Sequence, residues 1–231
     1  MLLSTFFVWT LGLAVTAFTV FLLSASYLTD PSGNRAHYMI TLWAKAMLVF
    51  AGVRVTIKGR ENLPSGVPLI ILSNHRGAFD IPVLQASLPV QFRWVAKKSL
   101  FSVPLIGWAM SFARYIPVDR EQGSKAYRSL KKASGNIKAG TSVLIFPEGT
   151  RNHNEGLLPF KRGAFLLAAM CKNAYIVPVA VSGTTGIMKR GGFFIRPSNV
   201  TVTIGKPFAA TGDADELSEA AKTAILNMLP A

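Results

Sequence analysis

Hydrophobic and polar positions follow three successive patterns along the chain. Residues 1–29 carry no charged side chain. As a helix, residues 2–28 would be roughly 40 Å long at ~1.5 Å per residue, enough for a hydrocarbon core of ~30 Å. Residues 38–51 predict a second apolar helix, interrupted by Lys45 and suited to lying in a membrane interface rather than crossing it. From residue 54 the pattern changes to apolar runs of strand length at 54–58, 67–72, 92–96, 113–118, 142–146, 175–181 and 199–204, with helical stretches between several of them. The runs at 67–72, 142–146 and 175–181 do not alternate, as expected of central strands covered on both faces. Over 124–138, Ala126, Leu130, Ala133 and Ile137 form one stripe, with Lys125, Arg128, Lys131, Lys132 and Lys138 largely off it. That spacing predicts a helix packed on a sheet with a basic outer face. From Asp213 an acidic tail containing Leu217, Ala221, Ala224, Ile225 and Met228 predicts a last surface helix. The expected fold is α/β, a mixed and largely buried central sheet flanked by helices and preceded by an N-terminal membrane-anchoring helical motif. The expected division is 1–53 for the anchoring helices and 54–231 for the α/β domain.

Composition narrows the functional classes. A chain of 231 residues that is 50% hydrophobic accommodates one α/β core plus a membrane segment. The net charge is +14, and it is uneven: residues 31–212 hold 24 Lys and Arg against 6 acids. Such a surface favours anionic lipid, phosphorylated substrates, acidic proteins or nucleic acid, without choosing among them. Nucleic acid is disfavoured by the apolar N-terminus and by the lack of aromatics interleaved with the basic runs. Arg35, Lys45, Arg54, Lys58 and Arg60 follow the apolar segment, so the positive-inside rule places the body on the cytoplasmic face, in a bacterial cell that of the inner membrane. Ser24-Ala25-Ser26 could end a cleaved signal peptide, but a basic n-region is missing and the apolar run is long. Cys171 is the only cysteine and reads as a helical core residue, and His37 and His153 stand apart from metal-ligand spacings. Neither a metal nor a cofactor is expected.

The chemistry centres on residues 73–80, Ser-Asn-His-Arg-Gly-Ala-Phe-Asp, between a strand-length run and a first helical turn. His75 and Asp80 are five residues apart, about 140° round an α-helix, so only a turn brings them together. Gly77 would give that turn its freedom, and Asp80 before Ile81-Pro82 suits an N-cap. The carboxylate could then fix one imidazole nitrogen and leave the other as a base. A serine or cysteine nucleophile does not accompany the pair, so the nucleophile would belong to the substrate. The same residues also fit a capping aspartate and a histidine satisfied in a loop.

A second stretch, Phe146-Pro-Glu-Gly-Thr-Arg151, ends another buried run. It presents Glu148, Gly149, Thr150 and Arg151 at a carboxyl edge, where ligands of open α/β sheets sit. Arg151 offers a planar fork suited to phosphate, while Glu148 and Thr150 offer partners for hydroxyls. An ordinary surface turn fits as well. Lys161 before a helix start and Arg120 after Tyr115-Ile-Pro-Val are further candidates for binding an anion.

In order and spacing, His75-Arg-Gly-Ala-Phe-Asp80, Tyr115-Ile-Pro-Val-Asp-Arg120, Phe146-Pro-Glu-Gly-Thr-Arg151 and Val177-Pro-Val-Ala180 resemble the four blocks of the glycerolipid acyltransferase family. Within it they are most similar to the bacterial 1-acyl-glycerol-3-phosphate (lysophosphatidate) acyltransferases. The resemblance runs roughly over residues 42–208 and includes Lys97-Lys98, Pro104, Gly107 and Phe160-Lys161-Arg162-Gly163. It implies that His75 deprotonates the acceptor hydroxyl, that Asp80 orients His75, and that the alkoxide attacks an acyl thioester of coenzyme A or acyl carrier protein. It also implies that Arg120 and residues 148–151 hold glycerol phosphate and that residues 177–180 shape the acyl side. Ser99 and Asn152 depart from residues common in relatives, at positions with no proposed chemical role. The implied activity makes phosphatidic acid from lysophosphatidic acid in phospholipid synthesis at a membrane. Other lysophospholipids, glycerol-3-phosphate or a lyso-aminolipid are the alternative acceptors, and a noncatalytic membrane scaffold is the alternative class.

Overall fold

A computed structural model describes residues 2–119, 123–152, 154, 156–189 and 191–230. Two antiparallel helices come first, α1 (Leu2–Tyr27) and α2 (Asn34–Phe50). There follow β1 (Val53–Lys58), β2 (Leu69–Ser73), α3 (Asp80–Ser87), β3 (Arg93–Lys97), α4 (Ile106–Phe112), β4 (Ile116–Val118), α5 (Gly123–Lys138) and β5 (Val143–Ile145). The chain ends with α6 (Arg162–Ala169), β6 (Tyr175–Ser182), β7 (Ser198–Ile204), β8 (Phe208–Ala209) and α7 (Ala214–Leu226). The sheet is mixed, in the order β1-β7-β6-β2-β5-β3-β4 with β8 beside β6. Within it β6, β2, β5, β3 and β4 run parallel, and the turn to β7 is antiparallel.

Burial explains why the central strands read as unbroken apolar runs. All five residues of β2 and all three of β5 are buried. Successive side chains point to opposite faces, so Leu69 and Ile71 join a cluster with α1 to α4, while Ile70 and Leu72 join another with α5, α6 and α7. Leu130, Ala133 and Ile137 of α5 and Leu217, Ala221 and Ile225 of α7 are the buried stripes of their helices, as their spacing predicts. Asp213 caps α7 in a capping box with Glu216.

The run expected as a strand over 113–118 is one only from Ile116. Ala113 caps α4, and Arg114 takes the left-handed conformation (φ 56°) that turns the chain into β4. Helix α2 packs one face on the body and leaves Tyr38, Leu42 and Val49 exposed. Its Ala36, His37, Ile40, Ala44 and Leu48 are buried, and residues 1–53 share one hydrophobic cluster with the α/β body.

Helix α1 is long and apolar enough to cross a membrane, yet it is fastened along its whole length. Near its start, Thr5 Oγ1 accepts from the Ile195 amide (3.3 Å) and Trp9 Nε1 donates to the Phe193 carbonyl (2.8 Å). In the middle, Trp43 Nε1 of α2 donates to Thr16 Oγ1 (2.9 Å). At its end, the Arg114 guanidinium lies 4.5 Å from the centre of the Tyr27 ring. Its outer face exposes Phe6, Phe7, Leu13, Phe18 and Phe21.

Candidate active site

Three adjacent parallel strands deliver the site. β6, β2 and β5 all end at one carboxyl edge, so the loops after Ser182, Ser73 and Ile145 converge there. Asn74, fully buried, extends the β2–β6 pairing by a side chain: Nδ2 donates to the Val181 carbonyl (2.9 Å) and Oδ1 accepts from the Val181 amide (2.7 Å). That clamp fixes where His75 leaves the sheet.

His75 and Asp80 meet as the turn requires, with His75 Nδ1 2.8 Å from Asp80 Oδ2. Asp80 does not cap α3. Phe79 is the N-cap residue and makes no side-chain bond, because the Asp80 carboxylate folds back over its own loop instead. Oδ2 also accepts from the amides of Arg76 (2.6 Å) and Gly77 (2.8 Å), and Oδ1 accepts from the Thr184 hydroxyl. Four donors converge on this buried carboxylate and fix its orientation. Nδ1 must therefore carry the proton it donates, and Nε2, which has no hydrogen-bond partner among the described residues, keeps a lone pair. Gly77 is not needed for left-handed backbone. Its φ is ordinary, and a Cβ there would meet Thr184 at only 3.6 Å, so its contribution is the amide.

The imidazole is fixed from a third side. The Phe146 ring stacks on it at 3.9 Å between centres and 6° between planes, and Trp94 packs behind Phe146 at 5.3 Å. Glu148, 1% exposed, spans two loops: Oε1 accepts from the His75 amide and Oε2 from the Leu158 amide, both at 2.8 Å. Burial holds its pKa above the usual carboxylate value, and the amides of Leu158 and His75 offset only part of that rise. Its carboxylate thus serves the His75 backbone, leaving hydroxyl binding to other groups. Gly149 turns with φ 74°, a conformation that suits glycine, and the Asn152 amide donates to the His75 carbonyl (2.7 Å). Buried Asn152 also orders the next loop through Gly156 and Asn154, which gives that departure from the family pattern a local reason.

Beside the dyad is a cavity of about 400 Å³ lined by Arg76, Gly77, Ala78, Arg151, Thr185 and Lys189, among others. Arg76 donates to the Asn154 carbonyl (2.9 Å), while its buried Nε has no partner among the described residues. Thr150 is exposed in the same turn as Arg151. Lys161 is apart from this cavity: it is the N-cap of α6, its amide donating to the Pro147 carbonyl (2.7 Å). Arg120 lies outside the described residues. Sequence reasoning missed Thr184, Arg76 and Lys189. Thr184 is 104 residues from Asp80, and no local spacing signals that they meet.

The family model described as Acyltransferase matches residues 54–182. Among curated proteins, the chain is 37% identical over 201 residues to the chloroplastic 1-acyl-sn-glycerol-3-phosphate acyltransferase LPAT1 of Arabidopsis thaliana, covering 86% of this chain but 55% of that protein. A 1-acyl-sn-glycerol-3-phosphate acyltransferase of Chlamydomonas reinhardtii is 32% identical over 230 residues, which is 97% of this chain and 68% of that protein. The crystal structure of the 1-acyl-sn-glycerophosphate acyltransferase PlsC from Thermotoga maritima superposes with a TM-score of 0.83 over 98% of this chain and 93% of that one. At 22% identity that likeness speaks to the fold. With a matching family model over more than half its length, and with its histidine and aspartate joined at the edge of the fold those relatives share, the chain belongs to the acyltransferase family.

Proposed function

We propose that the protein transfers a fatty acyl chain from a thioester donor to the free hydroxyl of 1-acyl-glycerol-3-phosphate, giving phosphatidic acid. The observation that carries this is the His75–Asp80 dyad, whose Nε2 has no partner, and no serine or cysteine against it, among the described residues. His75 Nε2 takes the proton of the acceptor hydroxyl, and Asp80 holds the imidazolium that forms. The alkoxide attacks the thioester carbonyl, and the tetrahedral adduct collapses with the thiolate leaving and accepting the proton. Arg151 and Arg76, with Thr150 at the turn, hold the acceptor phosphate in the adjoining cavity. Gly149 and Glu148 shape the loop that carries them, and Lys161 and Arg120 contribute positive charge to binding the acceptor. The activity for which the similar proteins are named supports this acceptor.

The site works at a membrane. Both ends of α1 are bound to the α/β body, so its exposed aromatic face lies flat in one leaflet of an anionic membrane while the basic body stays on the cytoplasmic side. In a bacterial cell that is the inner membrane. Residues 1–53 make the apolar contact and 54–231 carry the chemistry. The test is a mass-spectrometric assay of the purified full chain in detergent with lysophosphatidic acid and an acyl thioester. A diacyl product that disappears in folded His75→Ala, by about 10²–10⁴-fold, is expected. Full turnover in that variant would remove His75 as the base.

A further inference from the structure

A second cationic cavity lies away from the dyad. It occupies about 580 Å³ between the edge strand β4, the end of α4 and the exposed face of α5. Lys98, Arg114, Arg128 and Lys132 line it against a single carboxylate, Asp119. Arg128 and Lys132 are one turn apart on α5, a helix with five basic residues and no acid. Lys98, Arg128 and Lys132 form no ion pair among the described residues, so their charge is directed at whatever enters. Phe101, Ile116 and Pro117 give the cavity an apolar wall.

This cavity lies farther toward the β4 edge of the sheet than the one at Arg151. Arg76, Arg151 and Thr185 follow β2, β5 and β6, whereas Lys98 and Pro117 belong to the β3–β4 end of the sheet. From β2 to β4 there are three strand steps, roughly 14 Å at ~4.8 Å each. A pantetheine arm has about the reach of four extended residues, likewise ~14 Å. Acyl transfer between two phosphate-bearing substrates needs an anion site for each, and a volume of this size is that of a small-molecule pocket. We propose that the α5–β4 cavity is the subsite for the nucleotide phosphates of a coenzyme A donor, with Arg128 and Lys132 as the phosphate contacts and the apolar wall against the base. The inference rests on the thioester reading given above.

The test uses the full chain in detergent and the exposed double variant Arg128→Glu/Lys132→Glu. Adenosine 3′,5′-bisphosphate, which carries phosphates but no acyl group, is expected to bind the unmodified protein and to bind the variant at least about tenfold more weakly, as loss of charge-assisted contacts implies. In turnover, KM for acyl-coenzyme A is expected to rise by a similar factor with KM for the lysolipid unchanged. An acyl-pantetheine thioester lacking phosphates should be used equally by both proteins. Equal losses with acyl-pantetheine, or no bisphosphate binding by the unmodified protein, would overturn the proposal. So would a variant whose only defect is binding to anionic vesicles, or one impaired solely with acyl carrier protein. Bisphosphate binding is read without turnover. If no acceptor is acylated while that binding is present and charge-dependent, the reaction assignment fails and the nucleotide site stands.

Discussion

Thr184 shows how much of a catalytic dyad lies outside its motif. Its hydroxyl is one of four donors on the Asp80 carboxylate, and it is buried at the end of the turn that follows β6. Without it, Oδ1 would be a buried charged oxygen lacking a partner, at a cost of about 1.5–3 kcal/mol for a hydrogen bond to a charged group. Thr184→Val is therefore expected to lower kcat about tenfold while KM for the lysolipid stays the same, and Thr184→Ser should restore most of the rate. Steady-state kinetics of the two variants checks this: a fall in the serine variant as deep as in the valine variant would make the residue a packing contact only. His75 and Asp80 were legible in the sequence because five residues and a turn suffice to join them. Thr184 was not, because its partner comes through strand pairing between β2 and β6. Glu148 was legible as a site residue, but its engagement with two backbone amides was not, since an isolated Pro-Glu-Gly turn does not show which loop will lie opposite.

Among the elements, the central strands were readable for the same reason that they are central. Burial on both faces removes alternation, and β2, β5 and β6 lie within two residues of the expected runs. The segment 113–115 misled because Ala113 and Tyr115 are buried as a helix end and a connection rather than as strand. The apolar character of α2 was visible in the sequence, and the partner of its buried face was not. That partner is α3, through the side-chain amide of Gln85. Trp94 Nε1 and the Tyr115 hydroxyl donate to Gln85 Oε1 (2.8 and 3.2 Å), and indole is a donor only, so Nε2 must face Thr41 Oγ1 (2.8 Å) and His37 Nε2 (3.3 Å). A proton on that histidine nitrogen would oppose an N–H. Burial, with the Arg93 charge adding to it, lowers His37 from 6.5 to about 4. The unfolded chain then takes up a proton near pH 6.5 that the folded chain refuses until about pH 4. His37's share of stability is thus intact above the unfolded value and is lost as pH falls through this window, by up to about 3 kcal/mol. Melting temperatures from pH 7 down to pH 4 should drop more steeply for the natural chain than for His37→Gln, and parallel curves would mean that other groups drive the acid loss.

At the scale of the molecule, the proposed membrane contact assigns different parts to the exposed face of α1 and to the basic body. Phe6, Phe18 and Phe21 are 68%, 61% and 69% exposed, so replacing all three by serine should leave thermal stability nearly unchanged. Burying each ring in lipid is worth at least ~1 kcal/mol, and the triple variant is expected to partition about 100-fold less into neutral vesicles at high salt, where electrostatic attraction is screened. Co-sedimentation with such vesicles measures it, and unaltered partition would place the membrane contact elsewhere. Because α1 is tied down at Thr5 and Trp9 and again at Tyr27, the membrane contact proposed above would be made lengthwise, like a raft and not like a moored buoy. Under that proposal, an acceptor dissolved in the bilayer would reach His75 by travelling in two dimensions. Its working concentration is a mole fraction of the lipid: inert lipid dilutes the reaction, while added water leaves it alone.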